Sequence, residues 1–171
     1  MIHTIPENDS QSLKSLNLLN KKCRFTIKSI KKQCESQEYE GLSYTVNDKT
    51  VLFRTAKITP KKLGQFVTIW KRMNSKSVPY DLNDNIDLLV VNFLNHKRVG
   101  QFIFNKSLLV NKKIFSKNNI GGKRAMRIYS HWDKLYSKQA IQNQNWQIKY
   151  FIEISSEQSI NIESIKHLYG V

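Results

Sequence analysis

Cysteine, proline and glycine are scarce in this chain of 171 residues, with two, three and six of each. So little proline and glycine excludes a collagen-like or linker-like polymer. Cys23 and Cys34 stand eleven apart with no other Cys or His at ligand spacing. They read as two reduced thiols, without a disulfide framework. The four histidines (His3, His96, His131, His167) are scattered, so no structural zinc site is predicted. Long apolar runs are missing too. Residues 88–91 are among the longest, far short of the about 20 needed to cross a bilayer. No basic segment followed by an apolar one opens the chain, which predicts no signal peptide and a cytoplasmic protein.

The most telling shortage is of acids. Against 28 Lys and Arg stand only 13 Asp and Glu, a formal net charge of +15. Two stretches contain no acid at all. Residues 57–76 carry six cations: Lys57, Lys61, Lys62, Lys71, Arg72 and Lys76. Residues 88–132 carry nine: Lys97, Arg98, Lys106, Lys112, Lys113, Lys117, Lys123, Arg124 and Arg127. Together these equal the whole excess, and the rest of the chain is neutral. A merely solvated basic surface is one reading. A polyanion site is the sharper one, with nucleic acid the commonest such partner. A membrane surface would call for one amphipathic basic helix with Trp or Phe opposite, and none is visible.

What is present is enough for a core: 40% hydrophobic and 11% aromatic residues. Residues 1–9 read as a loose end. Residues 10–38 read as one or two helices, capped at Ser10 or Ser12. A hairpin follows, residues 42–46 and 50–56 about Asn47-Asp48. Residues 58–64 suggest one helical turn, with Thr59 as cap, Pro60 at its first position and Gly64 closing it. Its free N–H groups would attract phosphate beside Lys57, Lys61 and Lys62; an ordinary turn between strands is the alternative. Residues 66–73 alternate as a strand. Residues 86–93 form a strong, central strand with a hairpin partner at 99–104. A helical turn at 107–110, a loop at 118–122, a strand at 125–129, a helix at 137–146, a strand at 150–154 and a helix at 162–168 complete the chain. The expected fold is α+β (mixed α/β): a single central, largely antiparallel or mixed sheet flanked by helices. It is one domain overall, an N-terminal helical segment (1–38) packed on a core of 39–171.

Several segments resemble the motifs of the MepB-like family. They are residues 53–72 (FRTAKITPKKLGQFVTIWKR), Pro79-Tyr80-Asp81, residues 100–104 (GQFIF), Gly122-Lys123-Arg124-Ala125 with Arg127 and Tyr129, Trp132-Asp133, and Gln144 with Trp146-Gln147. The resemblance runs from about residue 39 to 151. It departs at Ser130, where the family usually has proline after the tyrosine. The resemblance implies a compact α/β protein similar to nucleic-acid-processing folds, among them restriction-endonuclease-like ones. The family name reflects a gene beside a multidrug efflux transporter, an association without a mechanism.

A nuclease of that type needs an Asp ahead of one strand and an acid-x-Lys on the next, to hold Mg²⁺ and orient water. Asp87 stands ahead of a strand, but Gln101 occupies the place of the second acid, and Glu38 and Glu40 from the preceding segment would have to complete the set. Asp81 and Asp84 fit an Asx-rich turn as readily. No Gly-x-Ser-x-Gly elbow exists, and Gly121-Gly122-Lys123-Arg124 lacks the spacing of a phosphate loop. No metal or cofactor is therefore expected, Mg²⁺ entering only with the nuclease alternative, and binding is favoured over catalysis. The residues assigned to nucleic acid are Arg54, Lys57, Lys61, Lys62, Lys71, Arg72, Lys123, Arg124 and Arg127, with Tyr129 and Trp132 to stack on bases or sugars. Each tryptophan, and Arg54 and Arg127 on their strands, has an interior role as its alternative. A metal-dependent or degenerate nuclease, and a binder of an acidic protein or phosphometabolite, are the other functional readings. Oligomeric state is left open.

Overall fold

The computed structural model describes residues 10–155 and 160–171, so the loose end expected at 1–9 lies outside the described residues. In chain order the elements are α1 (Gln11–Cys23), β1 (Ile27–Lys32), β2 (Leu42–Val46), β3 (Lys49–Thr55), β4 (Lys57–Thr59), β5 (Lys62–Thr68), β6 (Trp70–Met73) and β7 (Lys76–Pro79). They continue with β8 (Leu88–Asn95), β9 (Arg98–Asn105), α2 (Lys106–Asn111), β10 (Ala125–Ile128), α3 (Lys138–Gln147), β11 (Phe151–Glu153) and α4 (Ile162–Tyr169).

The central sheet has six strands in the order β1-β2-β3-β8-β9-β11. All neighbours are antiparallel except β3 and β8, which run parallel from Val51–Leu88 to Thr55–Asn92. The mixed α/β fold thus agrees with the sequence reading. Asp87 starts the parallel pair. Its carboxylate accepts from Thr50 N–H at 2.8 Å, its own N–H donates to the Thr50 carbonyl, and its carbonyl accepts from Lys106 N–H.

One face of the sheet is covered by α1 and α4, through Leu16, Leu19, Ile165 and Tyr169. The other is covered by a three-stranded sheet, β10-β5-β4, with α2 and α3 beside it, through Val67, Ile69, Ile128, Leu109 and Phe115. Each large side chain so buried contributes about 1.5–3 kcal/mol, which makes α1 an integral layer and not an appendage. Among the described residues no helix is long and apolar enough to cross a membrane.

Three local expectations are corrected. Residues 27–32, read as helix, form edge strand β1. Arg24 takes a left-handed conformation and ends α1 by donating its N–H to the Asn20 carbonyl. The exposed lysines of β1 and its bulge between Lys28 and Lys31 suit an edge that must not recruit other strands. Of the two readings of residues 58–64, the ordinary turn between strands is the one observed: they form the β4–β5 hairpin and not a helical turn, so no helical N–H groups are offered there. The strand read at 66–73 is two strands. It breaks at Ile69, where the pairing with the β10 segment ends in a bond from the Ile69 N–H to the Arg124 carbonyl, and β6 turns back into β7 through left-handed Asn74 and Ser75.

Candidate nucleic-acid interface

Arg127 lies on β10, directly across from Phe66 of β5. From there its guanidinium reaches the hairpin loop. One nitrogen donates to the carbonyls of Lys62, Leu63 and Gly64 at 3.3–3.4 Å, and the other to Thr59 Oγ1 at 2.6 Å. The charge also stands over the Phe66 ring at 5.7 Å. Arg127 therefore holds the loop that carries exposed Lys61 and Lys62. Gly64 has φ +72°, and a Cβ there would lie 2.4 Å from the Tyr129 ring, so only glycine lets the hairpin close on β10.

Helix α3 is fastened beside β10 by its amides. Ser137 caps its start, accepting from Ala140 N–H. Gln147 accepts from Tyr129 N–H at 2.8 Å and donates to the Arg127 carbonyl at 3.0 Å, serving the strand as a further backbone partner. Gln144 donates to the carbonyls of Ser130 and Asp133. Asp133 in turn accepts from both Ser130 N–H and Ser130 Oγ. A proline at 130 has no N–H for this bond.

Between α3, β10 and the loop lies a cleft of about 350 Å³. Four cations line it: Lys62 from the first acid-free stretch, and Lys112, Lys123 and Arg127 from the second. Gln139 and Asn143 add amides, and among the described residues none that lines it is acidic. Lys112 stands over the Trp146 ring at 5.2 Å. The buried Tyr129 phenol has its pKa raised by desolvation, so it remains neutral. The cleft can neutralise several phosphate oxygens at once, and no described residue lining it carries a charge that repels them.

Of the residues predicted from sequence, Lys62, Lys123, Arg127 and Tyr129 line this cleft, and Lys61 borders it on the same loop. Arg124 is exposed and donates to Ser77 Oγ. Others are engaged elsewhere. Lys71 pairs with Asp84 at 2.5 Å, Lys57 stands over Tyr39 near Glu38, and Arg72 covers Trp70 near Glu35. Arg54 is corrected. It is 0% exposed, because β3 is covered on both faces, and it donates to the Thr68 and Phe53 carbonyls and not to Asp81, Asp84 or Asp87. Burial lowers its pKa, with Tyr80 opposing. The stacking roles of Tyr129 and Trp132 are corrected too. Tyr129 is buried, and Trp132 packs on Phe93 and Phe151 with Arg98 over its face. Lys112, Gln139, Asn143, Trp146 and Gln147 went unassigned from sequence, although the Trp146-Gln147 motif was a signal.

The catalytic candidates Asp87, Gln101 and Glu40 do not converge. Asp87 is committed to Thr50, and Gln101 is buried, donating to Asn92 Oδ1 at 2.8 Å and accepting from Tyr169 at 3.2 Å. Glu40 ends a turn beside Gly41, lining a different recess, between α1 and β2. Among the described residues no three His, Cys, Asp or Glu side chains form a group that could hold a metal.

Fold and cleft define a small mixed α/β protein with a basic cleft outside its central sheet. The chain belongs to the MepB-like family, whose model matches residues 33–153. It is similar to the protein in the crystal structure of MepB, with 33% identity and a TM-score of 0.75 over 84% of this chain and 99% of that one. No curated protein matched the chain.

Proposed function

We propose that this protein binds nucleic acid through the phosphate backbone, with weak sequence preference and electrostatically dominated affinity. The observation that carries the reading is the meeting of both acid-free stretches in one cleft, where Lys62, Lys112, Lys123 and Arg127 share the lining with no carboxylate among the described residues. Lys62, Lys112 and Lys123 are exposed and can be changed without disturbing the core.

If about six phosphates are neutralised, the log–log dependence of affinity on salt has a slope of roughly −5 on duplex DNA. Changing Lys62, Lys112 and Lys123 together to Gln removes up to three contacts and flattens that slope by up to about 3, for every sequence alike. A slope near zero, or unchanged affinity in the triple variant, overturns the reading. Competition separates it from the acidic-protein and phosphometabolite alternatives: a strand contacting many phosphates displaces inorganic phosphate or an acidic peptide, and is not displaced by them.

A further inference from the structure

A second recess, of about 330 Å³, borders the same hairpin loop, and Lys62 lines both spaces. Its chemistry is different. Ile58 and Leu63 line it while 64% and 53% exposed, and buried Phe93 adds a third apolar wall. Gln65 also lines it and is only 2% exposed. The amide nitrogen of Gln65 donates to the Leu94 carbonyl at 2.6 Å, but its Oε1 is buried without a partner. Trp132 Nε1, on a ring packed 5.7 Å from Phe93, is a second buried polar atom without one.

An unmatched buried acceptor is unfavourable by about 1–3 kcal/mol and points to a group that is missing. A phosphate is only half served here: Lys61 and Lys62 line the recess, but so do the Asp133 carboxylate, the buried Gln65 carbonyl oxygen and aliphatic side chains. A flat heterocycle with an amino group does suit it. Its faces would lie on Ile58 and Leu63, its amino group would donate to Gln65 Oε1 once that buried amide turns toward the recess, and the phosphate joined to it would stay within the span of Lys61 and Lys62.

We infer that this recess receives one unpaired base of a nucleic-acid strand whose phosphates follow the basic cleft, and that it prefers a base carrying an exocyclic amino group. Thymine and uracil lack that group: their one ring N–H is flanked by two carbonyl oxygens, which would face Gln65 Oε1. The inference rests on the nucleic-acid reading and makes single-stranded or locally unpaired nucleic acid the substrate class. Weak overall sequence preference is retained, since one base in a bound segment is inspected.

The test is fluorescence anisotropy on the full chain at fixed moderate salt. The probes are labelled oligodeoxycytidine, oligothymidine, a cytidine strand with abasic sites, and a blunt duplex of equal length. The cytidine strand should bind about tenfold more tightly than the abasic strand, with thymidine between them. Ile58→Ser with Leu63→Ser, both on exposed positions, should erase that difference while leaving lysine-dependent binding in place. Gln65→Leu should erase the cytidine–thymidine preference, with a thermal melt to verify its fold. Equal binding of intact strand, abasic strand and duplex overturns the inference and leaves backbone binding standing. No binding of any probe at low salt overturns the reading beneath it.

Discussion

Asp81 and Gln147 use side-chain atoms where irregular segments leave backbone groups unmatched. The Asp81 carboxylate is 3% exposed and accepts from Ser116 Oγ at 2.6 Å, Asn119 N–H at 2.8 Å, and Asn83 through both its backbone and its amide at 3.0 Å. The Ser116 bond first, then that from Asn119, lower its pKa from an ordinary 3.8 to about 2. The folded-state value lies below the unfolded one, so the contribution is whole above about pH 4. It fades as pH falls towards 2, where the folded protein also takes up the proton. Asp81→Asn should therefore destabilise the protein at neutral pH by about 1–3 kcal/mol and flatten the decline in stability between pH 4 and 2. Urea unfolding across that range measures both; an acid limb that superposes on the parent's would refute the assignment. The Asx-rich turn was legible in the spacing of Asp81 and Asp84. The partners Ser116 and Asn119 were not, because they arrive from a loop more than 30 residues away. Arg54 shows the same limit: alternation places it on one face of β3, but only the topology reveals that both faces of that strand are covered.

At the scale of elements, the hairpin β4–β5 decides how the basic residues are presented. Thr59-Pro60 followed by Gly64 carries the local signature of a capped turn, and that signature misled. The deciding interaction is long-range: β5 pairs with β10 from Gln65–Ile128 to Thr68–Ala125, which draws the segment into a sheet. Gly64 was correctly expected to be left-handed, but for another reason, since Tyr129 occupies the space where a side chain would go. Gly64→Ala should lower stability by about 1–3 kcal/mol through overpacking, in addition to its backbone strain. It should also weaken DNA binding, because Lys61 and Lys62 move with the loop. A variant that melts like the parent would show that the Tyr129 ring yields freely. The strands at 42–46, 88–95 and 98–105 were legible because each is bounded by turn residues and has its partner next in sequence. Strand β7 was missed because four residues give too short a period.

At the scale of the molecule, the charge distribution opposes folding and, on the proposed reading, favours binding. A net charge of +15 on 171 residues repels itself. The acid-free stretches add to this where they converge at the cleft, while residues 135–171 balance three Lys against three Glu. The two consequences have opposite salt dependence. Added sodium chloride should raise the melting temperature by screening self-repulsion, over the same range in which it weakens DNA binding through counterion competition. A short DNA strand at low salt should replace the screening of chloride with specific neutralisation. At ten times its dissociation constant it adds about 1.4 kcal/mol, a shift of roughly 3–6 °C for a chain of this size. In the Lys62, Lys112 and Lys123 to Gln variant, with three fewer repelling charges in the cleft, the melting temperature without DNA should lie above the parent's at low salt, and the shift on adding the same DNA concentration should shrink. Differential scanning calorimetry with and without the strand reads both effects. If the variant melts below the parent and still gains the full shift, the cleft neither concentrates the repulsion nor receives the polyanion.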